Sequence, residues 1–380
     1  MNKKLLIVVN ELSYFLSHRL NIATEAKKKG YDVHICYGEN KIKNNNFKTR
    51  KYFKFFQVSI RRGNINPFIE IKSIYSIYCL LKKINPSVVH LVTLKPCLYG
   101  GIASCFLNIK AIIFALPGLG TIYNSKKIKL IIIKNLINFI FKVLFKIHNC
   151  FLLLQNNSDK RYFLKKKIID QNKVKIIKGS GVNLNNYNFV KERTNPIVIS
   201  FISRLIIEKG IKYFILAAEI IKKRTNLNLR FRVYGSIDSG NPQSITKIEL
   251  KKWKKDGFVK FYGYSKNINN VLKNTNIVCL PSFYGEGLPK VLLEAAAAGR
   301  SVVTSNHPGC REAIIPNVTG YLVPIKNSKR LADKLEFLAS KNKLRSRMGK
   351  NARIFAEKNF SSNFIAQEHM KLYKKLTKVL

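Results

Sequence analysis

Acidic side chains are scarce in this chain. Asp and Glu number 20 against 69 Lys and Arg in 380 residues, a formal charge of +49. A chain so basic seeks polyanions: phosphorylated substrates, anionic lipid or nucleic acid. Its Lys-, Asn- and Ile-rich composition also matches an AT-rich coding sequence, so charge alone names no partner. Residues 1–190 hold 33 basic and 7 acidic side chains, and residues 191–380 hold 36 and 13. The excess is spread rather than gathered in a tail, which speaks against a basic nucleic-acid-binding arm. Only 11 Pro and 20 Gly occur, too few for a low-complexity chain. The seven Cys form no C-x-x-C pair and no zinc spacing, so free thiols in a reducing compartment are expected. The first apolar run, Leu5–Val9, ends at Asn10-Glu11. It is too short for a signal-peptide core and reads as a buried strand. No G-x-G-x-x-G and no G-x-x-x-x-G-K is present, so dinucleotide and P-loop readings fail. The six Asp form no D-x-D, so no metal and no cofactor is expected.

A hydrophobic share of 46% is ample for a core and rules out disorder as the main state. The length suggests two domains. Short β-branched runs (5–9, 33–37, 88–92, 111–115, 151–154) alternate with helical segments such as 16–29 and 67–83. After Pro196 the pattern restarts, with runs at 197–202, 231–234, 259–262, 277–280 and 302–304. Such alternation predicts parallel sheets covered on both faces. The expected fold class is α/β, two doubly wound Rossmann-like domains facing across a cleft. Their expected bounds are 1–190 and 191–360, joined through the Asn-rich segment 183–196. Residues 361–380 read as one amphipathic helix, expected to return to the first domain. Ligands of open parallel sheets bind at the carboxyl ends of the strands.

The most informative stretch follows the run at 277–280: Pro281-Ser282-Phe283-Tyr284-Gly285-Glu286-Gly287-Leu288-Pro289, leading into 290–299. Pro289 suits a first helical turn and Gly299 a helix end. Glu286 then sits just before the helix and Glu294 inside it. The free N–H groups of such a helix start favour a phosphate or sugar oxygen. Two isolated glutamates eight apart would more often be a dipole-complementing residue and a solvated one. Glycines and a proline packed round a carboxylate at a strand-to-helix crossing argue for a site.

Glu286-Gly287-Leu288-Pro289 followed by Glu294 resembles the E-x7-E motif of retaining glycosyltransferases of the GT-B fold, family 4. The segment 202–210 (Ile-Ser-Arg204-Leu-Ile-Ile-Glu208-Lys209-Gly210) is similar to that family's GRL-x-x-EKG. Gly309-Cys310-Arg311-Glu312-Ala313 and 317–323 resemble its PGCREA and G-x-x-G-[FY]-LV tail. Gly181-Val182-Asn183 resembles GVD, with Asn in place of Asp. Phe15–Leu20, Thr93-Leu94-Lys95-Pro96 and Gly118-Leu119-Gly120 resemble the branch that extends undecaprenyl-diphosphate-linked oligosaccharides, N-acetylgalactosaminyltransferases of glycan assembly included. The resemblance spans nearly the whole chain, and it is the order of the motifs that makes it specific.

The resemblance implies the roles. The first domain would bind the acceptor and the second the nucleotide sugar. Arg204 and Lys209 would neutralise a diphosphate leaving group, since charge that develops in the transition state is where stabilisation counts most. Glu294 would take the ribose hydroxyls and Glu286 the transferred sugar, with Gly287, Leu288 and Pro289 at the donor; Pro289 has no N–H to give. Gly118 and Gly120 would line the donor side of the first domain, or form a plain turn. Many relatives carry a His before this glycine loop; here Pro117 stands there. Residues 10–17 hold no glycine, unlike the first loop of several relatives. His18, Arg19 and Lys95 are candidates for acceptor or donor phosphates; a helix face is the alternative for the first two.

Residues 126–146 interleave lysine with long apolar runs. Lys134, Asn138, Lys142 and Lys146 share one helical stripe. The lysines forbid a spanning helix. The apolar part is wider than one core-facing stripe needs, so either the helix is deeply packed or one side meets an anionic membrane surface through Lys134, Lys142 and Lys146.

The expected function is transfer of a hexose or N-acetylhexosamine from a UDP-sugar to a lipid-diphosphate-linked saccharide. The expected place is the cytoplasm, peripheral on the inner face of the cytoplasmic membrane, with no nucleic-acid partner. Two other classes stay open. A GT-B nucleotide-sugar epimerase would need no lipid acceptor. A non-enzymatic polyanion-binding protein would bind RNA or DNA with steep salt dependence, indifferent to Glu294.

Overall fold

The apolar runs form parallel strands, and their order places the loops that matter. The computed structural model describes residues 3–39, 48–60, 66–147, 149–238 and 240–378. The chain divides into two units, 1–180 with 362–380, and 181–361.

The first unit holds β1 (Lys3–Glu11), β2 (Tyr31–Glu39), β3 (Lys54–Gln57), β4 (Val88–Val92), β5 (Ala111–Ala115), β6 (Cys150–Leu154) and β7 (Val174–Ile176). They form one sheet in the order β3-β2-β1-β4-β5-β6-β7, with every pairing parallel. Alternate residues of a strand face opposite ways. Leu6 and Val8 therefore join the core under the helices Pro67–Ile84, Leu94–Ser104 and Ile128–Ile147. Leu5, Ile7 and Val9 face the helices Leu20–Lys28 and Ser362–Lys378. The terminal helix thus belongs to the first unit through Ile365, Tyr373 and Leu376.

The second unit holds β8 (Ile197–Ile202), β9 (Leu229–Tyr234), β10 (Lys260–Gly263), β11 (Ile277–Leu280), β12 (Ser301–Ser305) and β13 (Gly320–Val323). Their order is β10-β9-β8-β11-β12-β13, again parallel throughout. Each sheet reverses its winding beside its first strand, between β1 and β4 and between β8 and β11. Ligands of doubly wound sheets bind at the carboxyl ends of the strands at such a switch point.

Three strands lie outside the sequence expectation: β3, β7 and β13. Each is the outermost strand at one end of its sheet. β3 and β7 are short and half-exposed, so they lack the continuous apolar run that marks a central strand. The unit boundary falls at 180/181, ahead of the Asn-rich segment 183–196 expected to join the domains. That segment is tied into the second unit: Tyr187 hydrogen-bonds to Glu294, Arg300 to the Val190 carbonyl, and Arg345 to Glu192.

Candidate active site

The loops after β8 and β11 meet at the second switch point. Gly210 has φ +84°, and a Cβ there would stand 2.2 Å from the Pro281 carbonyl oxygen, so only glycine lets the loops approach. The Phe283 N–H donates to the Glu208 carbonyl at 2.8 Å. This contact sets Lys209 against Glu286: Nζ and Oε2 are 2.5 Å apart, and both side chains are almost wholly buried. Ser282 Oγ lies 2.9 Å from the other Glu286 oxygen. From the next loop, Gly309 closes over the turn; a Cβ there would come within 1.9 Å of the Gly287 carbonyl oxygen. His307 also feels Glu286. Burial pushes its pKa down, against the pull of that carboxylate. The Cys310 thiol beneath is pushed up to about 12 by burial. Pro289 sits at the N-cap, one residue before the helix Lys290–Ala297 rather than within its first turn. Leu288 packs into the core, so any ligand contact it makes is through its backbone.

Glu294 lies inside that helix, only 8% exposed. The Tyr187 hydroxyl donates to its Oε1 at 2.9 Å, and Lys290 Nζ stands 3.7 Å away. Burial raises the pKa of Glu294 above the usual carboxylate range, opposed by Lys290 and Tyr187. Arg204 follows β8 on its other side. Its Nη1 is 2.5 Å from the carboxylate of Asp238, beyond β9. Lys209 and Glu286 are thus in direct contact, while Arg204 and Glu294 each have a different partner. All four come from the carboxyl ends of the adjacent strands β8 and β11 and the helix that follows β11.

In the first unit, Lys95 follows β4 at the other switch point. Its Nζ is 2.6 Å from Glu70 Oε1, and the Tyr99 hydroxyl donates to Glu70 Oε2. Thr93, just before it, has φ +76° and ψ 168°, a backbone conformation that costs a non-glycine residue about 1–3 kcal/mol and gathers at functional sites. Gly118 and Gly120 both have positive φ, +153° and +67°, in the turn that follows β5. His18 is half-buried and stacked on Tyr14 at 4.3 Å. Arg19 is corrected by the structure. It is 2% exposed, its guanidinium 5.8 Å from the Tyr14 ring centre, and it acts electrostatically on His90, His369 and Tyr373. The side chain points into the core between sheet and terminal helix, where no soluble phosphate reaches it.

Two family models match the chain: glycosyl transferase 4-like over residues 4–155, and glycosyl transferases group 1 over residues 185–355. A protein of Campylobacter jejuni subsp. jejuni, N,N'-diacetylbacillosaminyl-diphospho-undecaprenol alpha-1,3-N-acetylgalactosaminyltransferase, is 30% identical over 334 residues, 83% of this chain and 84% of the relative. The chain belongs to this glycosyltransferase family. The UDP-Gal:alpha-D-GlcNAc-diphosphoundecaprenol alpha-1,3-galactosyltransferase of Escherichia coli is 26% identical, over 79% of this chain and 78% of that one. The fold matches sucrose-phosphate synthase of Thermosynechococcus elongatus with a TM-score of 0.81, across 100% of both chains at 16% identity. The glycosyltransferase has the GT-B fold.

The glycosyltransferase also holds partners that its sequence did not flag. Tyr187 sits in a segment that reads as a linker; the apolar cluster Tyr187, Phe189 and Val190 inside a polar stretch is the signal that marks it. Asp238 is an acid just past a strand end, and Ser282 stands four residues ahead of the motif, in the loop that leads into it. Chemically, the second unit offers two cations at the carboxyl ends of neighbouring strands, suited to a diphosphate. It also offers two carboxylates in low-dielectric surroundings, suited to hydroxyl groups.

The helix Ile128–Ile147 presents two faces. Ile137, Phe141, Leu144 and Phe145 are buried, whereas Ile128, Ile132, Leu136, Phe139, Val143 and Ile147 are 40–77% exposed. At about 100° per residue, the exposed six make one continuous stripe. Lys142 and Lys146 edge it. Lys134 lies about 120° round from the stripe, toward the core-facing side, and is half-buried, and Asn138 faces inward, bonded to Tyr123 and Tyr162. Among the described residues no helix is long and apolar enough to cross a membrane.

Proposed function

We propose that this glycosyltransferase moves a hexose or N-acetylhexosamine from a UDP-sugar to an undecaprenyl-diphosphate-linked saccharide, with retention at the anomeric carbon, in surface polysaccharide or glycan assembly. One observation carries the reading: a buried Lys209–Glu286 pair at the switch point of a sheet, in a chain similar over most of its length to a transferase named for a diphospho-undecaprenol acceptor. The Escherichia coli relative is named for UDP-Gal and an alpha-1,3 product. UDP-galactose carries its sugar in α linkage, so an α product means retention.

In the proposed step, the bond between the anomeric carbon and the distal phosphate oxygen breaks. The acceptor hydroxyl oxygen bonds to that carbon on the same face, and its proton passes to the departing phosphate oxygen. UDP leaves with the negative charge that Lys209 and Arg204 stabilise. Asp238 holds Arg204 in place. Glu286, fixed by Ser282 and Lys209, meets the sugar hydroxyls, and Glu294 accepts from the ribose. Lys95, Gly118 and Gly120 are the first unit's contributions to phosphate and donor.

The deciding experiment is a screen of nucleotide sugars against a short-chain polyprenyl-diphosphate saccharide, read by mass spectrometry. A product one hexose or N-acetylhexosamine heavier is expected with a UDP donor. Isomerisation of the UDP-sugar without acceptor would establish the epimerase reading instead.

The raised pKa of Glu294 has a consequence for pH. Only the ionised carboxylate accepts two ribose hydroxyls. As pH falls through a pKa above the ordinary glutamate range, KM for the donor rises. The acid limb of a KM profile therefore begins at higher pH than an exposed glutamate would give. Glu294→Gln flattens that limb.

The reading also places the enzyme at the inner face of the cytoplasmic membrane, the exposed stripe of Ile128–Ile147 lying in the interface and lysine meeting acidic headgroups. Replacing Lys142 and Lys146 by Glu is expected to shift the protein from sedimenting with phosphatidylglycerol vesicles to the supernatant. Lys134→Glu, away from the stripe, has a smaller effect. Unchanged sedimentation of the double variant would rule the surface out.

A further inference from the structure

The helix Pro67–Ile84 packs against the first sheet through Ser73, Ile77, Leu80, Leu81 and Ile84. A helix that covers a sheet needs one apolar side, and this one has two. At about 100° per residue, Phe68, Ile71 and Tyr75 fall together on the side turned away from the core. They are 83%, 63% and 67% exposed. Beside them the half-buried Tyr78 sets its ring edge-on to Phe106, itself 72% exposed just past the neighbouring helix Leu94–Ser104. Exposed apolar side chains scattered singly are ordinary, but a gathered set marks a surface that something covers.

The charge around this patch identifies what covers it. Lys72, Lys82 and Lys83 are exposed among the apolar residues. The one acid of the helix, Glu70, is turned to Lys95 and Tyr99, and neither Leu94–Ser104 nor Ile128–Ile147 carries any. A second copy of the chain would set lysine against lysine with no carboxylate between them. Nucleic acid would leave Phe68 and Ile71 in water. An anionic bilayer satisfies both halves of the surface, with acyl chains for the apolar side chains and headgroup phosphates for the lysines.

We propose that the outer face of Pro67–Ile84, with Phe106, is a second membrane-contact surface that seats on an anionic bilayer. Resting on the same reading of a membrane-bound enzyme as the stripe of Ile128–Ile147, it adds what one stripe cannot supply, a fixed orientation. The two helices lie in one layer over the same face of the sheet, with Leu94–Ser104 between them. A single line of contact leaves a body free to roll about it, whereas two side by side set its tilt. Each helix begins at the carboxyl edge of the sheet, following β3 or β5. The most exposed member of each set, Phe68 and Ile128, stands at that start, on the edge that carries Lys95. A lipid-linked diphosphate thus meets Lys95 without leaving the headgroup layer.

Tyr75→Trp tests the contact in the full chain, whose one native tryptophan, Trp253, belongs to the second unit. On phosphatidylglycerol vesicles its emission is expected to shift to the blue and to be quenched by brominated acyl chains, beyond any change in the parent protein. Phe68→Ser with Ile71→Ser and Tyr75→Ser alters exposed side chains only. That triple variant is expected to bind the vesicles at least roughly tenfold more weakly, with its thermal midpoint unmoved. Phe139→Trp reports separately on the other helix. Quenching at position 139 alone would confine the bilayer to the Ile128–Ile147 stripe and overturn the proposal, while quenching at position 75 alone would sustain it and remove that stripe. Vesicle binding with no shift at either position, as adsorption of a +49 chain by charge alone gives, would overturn it too. So would a dimer, seen by sedimentation velocity without vesicles, that the triple variant dissolves, since a second copy then covers the face.

Discussion

Lys209→Met lowers the rate of sugar transfer by roughly 10²–10³-fold, the usual effect of removing one group aimed at transition-state charge. The loss falls on kcat more than on donor KM, because the diphosphate gains its charge as the bond breaks. The same change costs stability. Lys209 and Glu286 are nearly buried and 2.5 Å apart, and removing one partner of such a pair costs about 3–5 kcal/mol. A double variant, Lys209→Met with Glu286→Gln, separates the effects. It regains most of the thermal midpoint, since no uncompensated charge stays buried, and recovers no activity. Kinetics and thermal melts of the three proteins check this. Full activity in either Lys209 variant would remove the lysine from the chemistry.

Glu294→Ala has the second large effect, and it falls on binding. Two charge-assisted hydrogen bonds to ribose, at about 1.5–3 kcal/mol each, correspond to a rise in donor KM of roughly 10²-fold or more. Stability hardly moves. The change leaves the Tyr187 hydroxyl without its acceptor, but it also relieves a carboxylate that burial disfavours. Competition by free UDP weakens in parallel. A variant that keeps wild-type KM would place the nucleotide elsewhere.

The sequence carried the central strands and the positions of the site motifs, because both are local. A run such as Ile-Val-Cys-Leu at 277–280 has no other comfortable place than a strand buried on both faces. The half-exposed edge strand Lys54–Gln57 lacks that signature and was accordingly invisible. What could not be read was pairing. Lys209 and Glu286 belong to loops far apart in the chain, and only the parallel neighbours β8 and β11 bring them together. Taken as separate cations and acids, they looked like independent ligand contacts. Arg19 shows the same limit from the other side. Among 69 basic residues nothing local marks the one that the terminal helix covers.

That helix makes the first unit discontinuous along the chain. Residues Ser362–Lys378 complete a layer begun by Leu20–Lys28, so a fragment cut after residue 180 exposes Val9, Ile35 and Ile113 to water. Expressing the N-terminal half alone is futile for that reason; a workable fragment needs the last segment fused to Ser180 by a linker. A bulky tag placed close after Leu376 presses on the same seam, and a tag at the front of the chain avoids it.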